Sequence, residues 1–177
     1  MAEPGGGIAV RRLGAPDLPA YKALRDEALA AHPTAFTSDA EEARALPAES
    51  YRARLGLDRP EGGEFLIGAF EGAALVGALC CERDTRRKAR HIGHIVGMMV
   101  RDSHQGRGIG RALLTRCVAL AGAADGLEML ILTVTAGNQP ALALYRSFGF
   151  VRCGSLPRAI KVGATYHAKE QMALDLR

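Results

Sequence analysis

The sequence predicts a single mixed α/β domain on one twisted, mostly antiparallel sheet flanked by about four helices. Three observations lead there. A chain of 177 residues with 48% hydrophobic content has material for one good core and is short for two. Three consecutive extended segments in the middle of the chain have the short spacing of an antiparallel meander. A strand, helix, strand succession then follows, which calls for one parallel crossover. No internal repeat and no Pro/Gly/Ser linker divides the chain, so residues 1–177 read as one domain.

In order, IAVRRL suggests a first strand, and PDLPAYKALRDEALAAHP a first helix with Leu18, Tyr21, Leu24 and Leu29 roughly in phase. PAESYRARLGL reads as a second helix opening at Pro47. The period then changes: EFLIGAF, AALVGALCCERD and ARHIGHIVGMMV are the three meander strands, joined by a tight EG turn and the basic loop TRRKA. After a glycine-rich loop, Ile109, Leu113, Cys117 and Leu120 share one helix face, and LEMLILTVT is apolar enough for a strand buried on both faces. NQPALALYRSFG is a helix with Asn138 as cap, Pro140 in its first turn and Gly149 as its stop. FVRCGSL and RAIKVGATYHAKEQMALDL close the chain as short strands with a hairpin around Gly163.

Composition excludes several classes of function. A net charge of +4 and a pI near 9.1 favour anionic ligands mildly but lack the dense basic face of a nucleic-acid binder. The cysteines, Cys80, Cys81, Cys117 and Cys153, form no CxxC pair and read as reduced structural thiols. MAEPGGGIAV has no basic start and no apolar h-region, and no apolar run is long enough for a bilayer. A cytoplasmic protein without metal is expected.

The stretch QGRGIG, Gln105 to Gly110, sits where a strand hands over to a helix. A helix N-terminus presents unpaired N–H groups and the positive end of the macrodipole, and glycines let an anion come close. The Gly-Lys-Ser/Thr of a Walker loop and the GxGxxG of a dinucleotide fingerprint are both missing; the pattern is Q-x-x-G-x-G. Close packing of helix on sheet would also use Gly108 and Gly110, but an Asn138-capped helix after the next strand makes a constellation of it. Gly97, in mid-strand, favours a bulge and a splaying of neighbours that would leave backbone free for a ligand arm. Arg107 and Arg111 add positive charge beside the loop.

VRDSHQGRGIGRALL and LTVTAGNQPALALYRSFGFVRCG resemble the GNAT superfamily of acyl-CoA-dependent N-acetyltransferases, and a looser similarity runs through most of the chain. The resemblance implies a sheet splayed at the cofactor and acetyl-CoA as co-substrate. It assigns the pyrophosphate to the backbone of Gln105, Gly106, Arg107, Gly108, Ile109, Gly110 and Arg111. Met98, Met99 and Val100 would pair with the pantetheine arm like an added strand. Asn138 would hold the cofactor or the helix start. Tyr145, seven residues on and about two helical turns away, would protonate or hydrogen-bond the coenzyme A thiolate. Without the resemblance, Tyr145 reads as a core aromatic beside Leu142 and Phe148 on an amphipathic helix.

The proton acceptor departs from the pattern. Some members of the superfamily carry a glutamate six positions before the residue matching Val100, where this sequence has His94; others carry one five residues before the asparagine, where it has Thr133. A neutral imidazole can accept a proton, which makes His94 the candidate, and alternation places it on the face of Val96, Met98 and Val100 unless a bulge intervenes. His91, Glu82 and a water chain are the alternatives. Arg83, Arg86, Arg87, Lys88 and Arg90 read as a solvated turn rather than a substrate site, and Asp39, Glu41 and Glu42 as an exposed acidic stretch. The implied function is direct acetyl transfer from acetyl-CoA to a primary amine of a small molecule or protein; the alternative is a non-catalytic acyl-CoA-binding module. A homodimer could form by antiparallel edge pairing of the C-terminal region.

Overall fold

A computed structural model describes residues 7–59 and 61–177; the opening MAEPGG and Pro60 lie outside them. The expected architecture is found. Seven strands form one sheet in the order β1-β2-β3-β4-β5-β7-β6, antiparallel throughout except where β4 meets β5. The strands are β1 (Ile8–Arg12), β2 (Phe65–Glu71), β3 (Ala74–Arg83), β4 (Ile92–Val100), β5 (Met129–Thr135), β6 (Val151–Val162) and β7 (Thr165–Asp175). Four α-helices accompany them among the described residues: α1 (Leu18–Ala31), α2 (Ala40–Ala45), α3 (Ile109–Gly122) and α4 (Gln139–Ser147).

The apolar pattern decides which face each helix covers. α1 buries Leu18, Tyr21 and Leu24 against Leu66, Cys80 and Met99 on one side of the sheet. α3 and α4 bury Ile109, Leu113, Cys117, Leu142 and Tyr145 against Ile67, Leu79, Ile95 and Leu132 on the other. The sheet is thus the middle of three layers, with a core on each face.

Four local expectations are corrected. The segment from Ala48 to Leu55 is a 3-10 helix, burying only Tyr51 and Leu55. α2 was not expected; Asp39 caps it by accepting from the amides of Glu41 at 2.8 Å and Glu42 at 3.0 Å. β5 is not buried on both faces: Leu130, Leu132 and Val134 enter the core, while Thr133 is exposed because no helix covers the opposite face there. FVRCGSL and RAIKVG are one long strand, β6, which carries Pro157 as an outermost strand can and absorbs it with register shifts.

Two features shape the centre. β4 pairs with β5 only from Ile92–Met129 to Ile95–Leu132; beyond that, Val96–Val100 stay with β3 while Thr133–Thr135 follow β7, and the sheet opens into a V. At the mouth of the V, Gly97 takes φ +59° and the β3–β4 register slips, because Ala78 faces Met99 while Cys80 faces Val96. This bulge reverses the side-chain alternation. Val96 and Met99 join the α1 core, and Ile95, Met98 and Val100 face α3 and α4. The expected shared face of His94, Val96, Met98 and Val100 is therefore broken after Val96.

Candidate active site

The V is the floor of a cleft of about 540 Å³. One wall is the loop before α3. Gly106 and Gly108 adopt φ +75° and +78°, in the left-handed region that favours glycine, and a Cβ on either would point into open space. From Gly106 through Arg111, no amide N–H has a partner among the described residues; the first regular bond of the helix runs from the Ala112 amide to the Gly108 carbonyl at 3.0 Å. A run of free amides converging at a helix start is an anion cradle. On the floor, Met98, Met99 and Val100 line the cleft with their β5-facing backbone unpaired. A cradle beside an open strand edge suits a long ligand with phosphate at one end, as coenzyme A has.

Tyr145 closes the inner end. It is 7% exposed, packs edge-on against Phe150 with ring centroids 5.8 Å apart, and its hydroxyl donates to Met98 Sδ at 3.4 Å. Burial, with the Cys117 thiol a lesser cause, pushes its pKa up to about 12. The hydroxyl is therefore protonated at physiological pH and aimed at a sulfur atom. Asn138 lines the same wall, and its side chain caps α4 by accepting from the Ala141 amide at 3.3 Å.

The opposite wall, on the α1 side, is built from polar groups. Arg25 projects from α1, 5% exposed, and donates to Ser38 Oγ at 2.8 Å. Arg54 donates to the buried Tyr21 hydroxyl at 2.8 Å and lies 3.5 Å from Glu82 Oε1. Tyr51 stacks beneath both guanidiniums at 5.5 and 5.6 Å. Over the open end of the V, the loop between α1 and α2 is tied down by Thr135 Oγ1 donating to the Thr34 carbonyl at 2.7 Å and Lys169 Nζ donating to Thr37 Oγ1 at 3.0 Å.

The model of the acetyltransferase (GNAT) family matches residues 21–150, from α1 through α4. The chain belongs to the GNAT acetyltransferase family. Among curated GNAT relatives, N-alpha-acetyltransferase RimI of Mycobacterium tuberculosis is 38% identical over 97 residues, 54% of this chain and 58% of the relative. N-alpha-acetyltransferase MAK3 of Arabidopsis thaliana is 34% identical over 88 residues, 50% of this chain and 45% of the relative. The chain thus spans about half the length of the curated relatives it matches. A GNAT-family acetyltransferase from Streptococcus pneumoniae superposes with a TM-score of 0.82 at 25% identity, covering 96% of this chain and 99% of its own. The fold is shared with yncA of Salmonella typhimurium, solved with its cofactor acetyl-CoA, at a TM-score of 0.84 and 20% identity over 97% and 95% of the two chains.

Of the residues expected at the GNAT site, Met98, Met99, Val100, Gln105, Gly106, Gly108, Ile109, Gly110, Asn138 and Tyr145 line one cleft. Three do not. Arg107 turns to Glu71, which also accepts from His104 Nε2 at 3.0 Å, and Arg111 donates to Ser147 Oγ at 3.1 Å while covering Phe148. His94 sits in a shallow neighbouring hollow, 3.9 Å from Asp84 and directly across the strand pair from Glu82. Glu82 itself reaches the cleft and is its one carboxylate among the described residues. Arg83 spends its donors on the carbonyls of Gly62, Arg90 and Asp125, so the basic turn holds the fold at that point. Asp39, Glu41 and Glu42 stay outside the cleft. Arg25, Arg54, Ser38 and Lys169 were not anticipated. For Arg25 a signal existed: an arginine within the buried stripe of α1, four residues after Tyr21.

Proposed function

We propose that this chain transfers an acetyl group from acetyl-CoA directly to a primary amine. The observation that carries this reading is the unbroken run of free amides from Gly106 to Arg111, opening onto the V between β4 and β5 with Tyr145 at its inner end. When bound, acetyl-CoA supplies the activated acyl thioester. The residues do the rest. The amide run holds the pyrophosphate, and the β5-facing backbone of Val96–Val100 takes the pantetheine arm as an added strand. The bulge at Gly97 and Met98 presents main-chain groups where the thioester carbonyl would lie, a place to stabilise developing negative charge.

Tyr145 meets the departing thiolate. Its pKa of about 12 lies above the roughly 8.5 of a free thiol, so a hydrogen bond to sulfur is favoured over complete proton transfer. Glu82, partly open to solvent, receives the proton of the attacking amine, and its cross-strand neighbour His94 passes it outward. None of the cleft residues is a cysteine, and direct transfer needs no acyl-enzyme. The relatives named as N-alpha-acetyltransferases support an amine as acceptor. Association into a dimer through β6, one of the sheet's two edge strands, with Val151 and Leu156 exposed, fits this assembly of elements.

Calorimetric titration with acetyl-CoA, with ATP as the control anion, tests the reading. Micromolar binding that ATP does not displace is expected. Absence of binding, or equal binding of ATP, would leave the glycine loop a structural turn.

A further inference from the structure

The α1 wall of the cleft carries more positive charge than its partners neutralise. Among the described residues, Arg25, Arg54 and Lys169 line the cleft against one carboxylate, that of Glu82, which lies nearest Arg54. Arg25 forms no ion pair among the described residues; its one hydrogen bond goes to Ser38 Oγ, and its buried Nε has no partner. Removing an unpaired guanidinium from water is costly, and proteins rarely leave one without an anion. Arg25 and Arg54 also converge: the Nη1 atom of each lies 3.4 Å from the point where a Cβ on Gly97 would sit. Glycine keeps that point clear, and the two forks address the space directly above the bulge.

We infer that this pair is an acid-binding subsite for the acceptor, and that the acceptor is a small amine bearing a carboxylate or similar acid group close to its nitrogen, an α-amino acid or a close analogue. The inference rests on the acetyl-transfer reading for the identity of the reacting amine. The acid bridges Arg25 and Arg54, a geometry that guanidinium forks favour. The bulge at Gly97 is also the backbone facing the thioester, so the amine held there stands a short spacer from its own acid group. Glu82, beside Arg54, is in place to take the ammonium proton. The ammonium first gives one proton to Glu82 and then to solvent; transfer then forms the amide C–N bond and breaks the thioester C–S bond, and the second N–H proton ends on the departing sulfur, leaving coenzyme A as the thiol. A peptide N-terminus has an amide carbonyl where this site offers two cations, and would leave Arg25 unpaired.

The test compares the standard free L-α-amino acids with their α-carboxamides and with tripeptides, following release of the coenzyme A thiol from acetyl-CoA. At least one free amino acid should be acetylated with kcat/KM more than tenfold above its own carboxamide. Arg25→Met should reduce that preference to within about threefold, mainly through KM. Carboxamides or tripeptides acetylated as well as the acids would overturn the subsite while leaving amine transfer intact. If acetyl-CoA binds and no amine reacts, the transfer reading fails, and the subsite is judged by calorimetry on the coenzyme A complex. There, binding of an amino acid at least tenfold tighter than its carboxamide upholds it, and equal binding overturns it. The acid-to-amide comparison needs only wild-type protein, so it stands even if Arg25→Met does not fold.

Discussion

Tyr145 combines burial, which keeps its proton on, with an orientation toward sulfur. Tyr145→Phe is expected to lower kcat more than tenfold and leave acetyl-CoA affinity within about twofold, because only the departing thiolate loses a partner. Steady-state kinetics alongside calorimetry separates the two. A folded-state pKa of about 12 lies above the unfolded value of 10.0, so the buried neutral phenol contributes stability that is fully present below pH 10 and is lost as pH rises through 12. The ultraviolet difference between wild type and Tyr145→Phe should accordingly show phenolate absorbance rising near pH 12, and a rise near pH 10 would contradict the burial argument. For proton removal, Glu82→Gln should cost more in kcat than His94→Gln, since the Glu82 side chain lines the cleft and the His94 side chain lies outside it in the neighbouring hollow. The reverse order would restore His94 as the group that meets the amine. Asn138 was legible as a cap because capping is a local signal, whereas helix period alone made Tyr145 a core aromatic and only the GNAT resemblance pointed it at the site. Arg25 and Arg54 owe their placement to Ser38 and Tyr21, which lie 13 and 33 residues away, and no local pattern encodes such pairings.

At the scale of elements, two glycines separate backbone conformation from space. Gly108 starts α3 at φ +78° with nothing near its missing side chain. Gly108→Ala should therefore cost only the left-handed backbone penalty, about 1–2 kcal/mol, and any larger loss of acetyl-CoA affinity reports on the amide cradle. Gly97 carries a similar backbone demand with two guanidiniums above it. Gly97→Ala should destabilise by about 1–2 kcal/mol and raise the acceptor KM more than the acetyl-CoA Kd, because the methyl group would occupy the point on which Arg25 and Arg54 converge. Urea denaturation and initial-rate kinetics check both. The strand β4 was readable from its apolar run, yet its facing residues were not. A single bulge inverts every side chain beyond it, and sequence periodicity carries no marker for the phase change except Gly97 itself.

For the molecule as a whole, the two cores on either side of the sheet hide three of the four thiols: Cys80, Cys81 and Cys117 are buried, and Cys153 is exposed. Burial pushes the Cys80 thiol up, and the Cys117 contact does the same, more strongly than burial, for Cys81. A chromogenic disulfide reagent should thus titrate about one thiol in native protein and all four in guanidinium. Fold class followed from the meander and the crossover, both short-range in sequence, whereas the insertion of β7 between β5 and β6 did not. The V itself sits where β4 parts from β5 after Leu132, and β4 is joined to the C-terminal hairpin of β6 and β7 only through that brief parallel ladder. A ligand lying along the free edge of β4 would lengthen this junction and stiffen the sheet across its weakest seam. The molecule at work would then be an eight-stranded body whose last strand arrives with each turnover and departs with it, so that its rigidity is renewed by the compound it consumes.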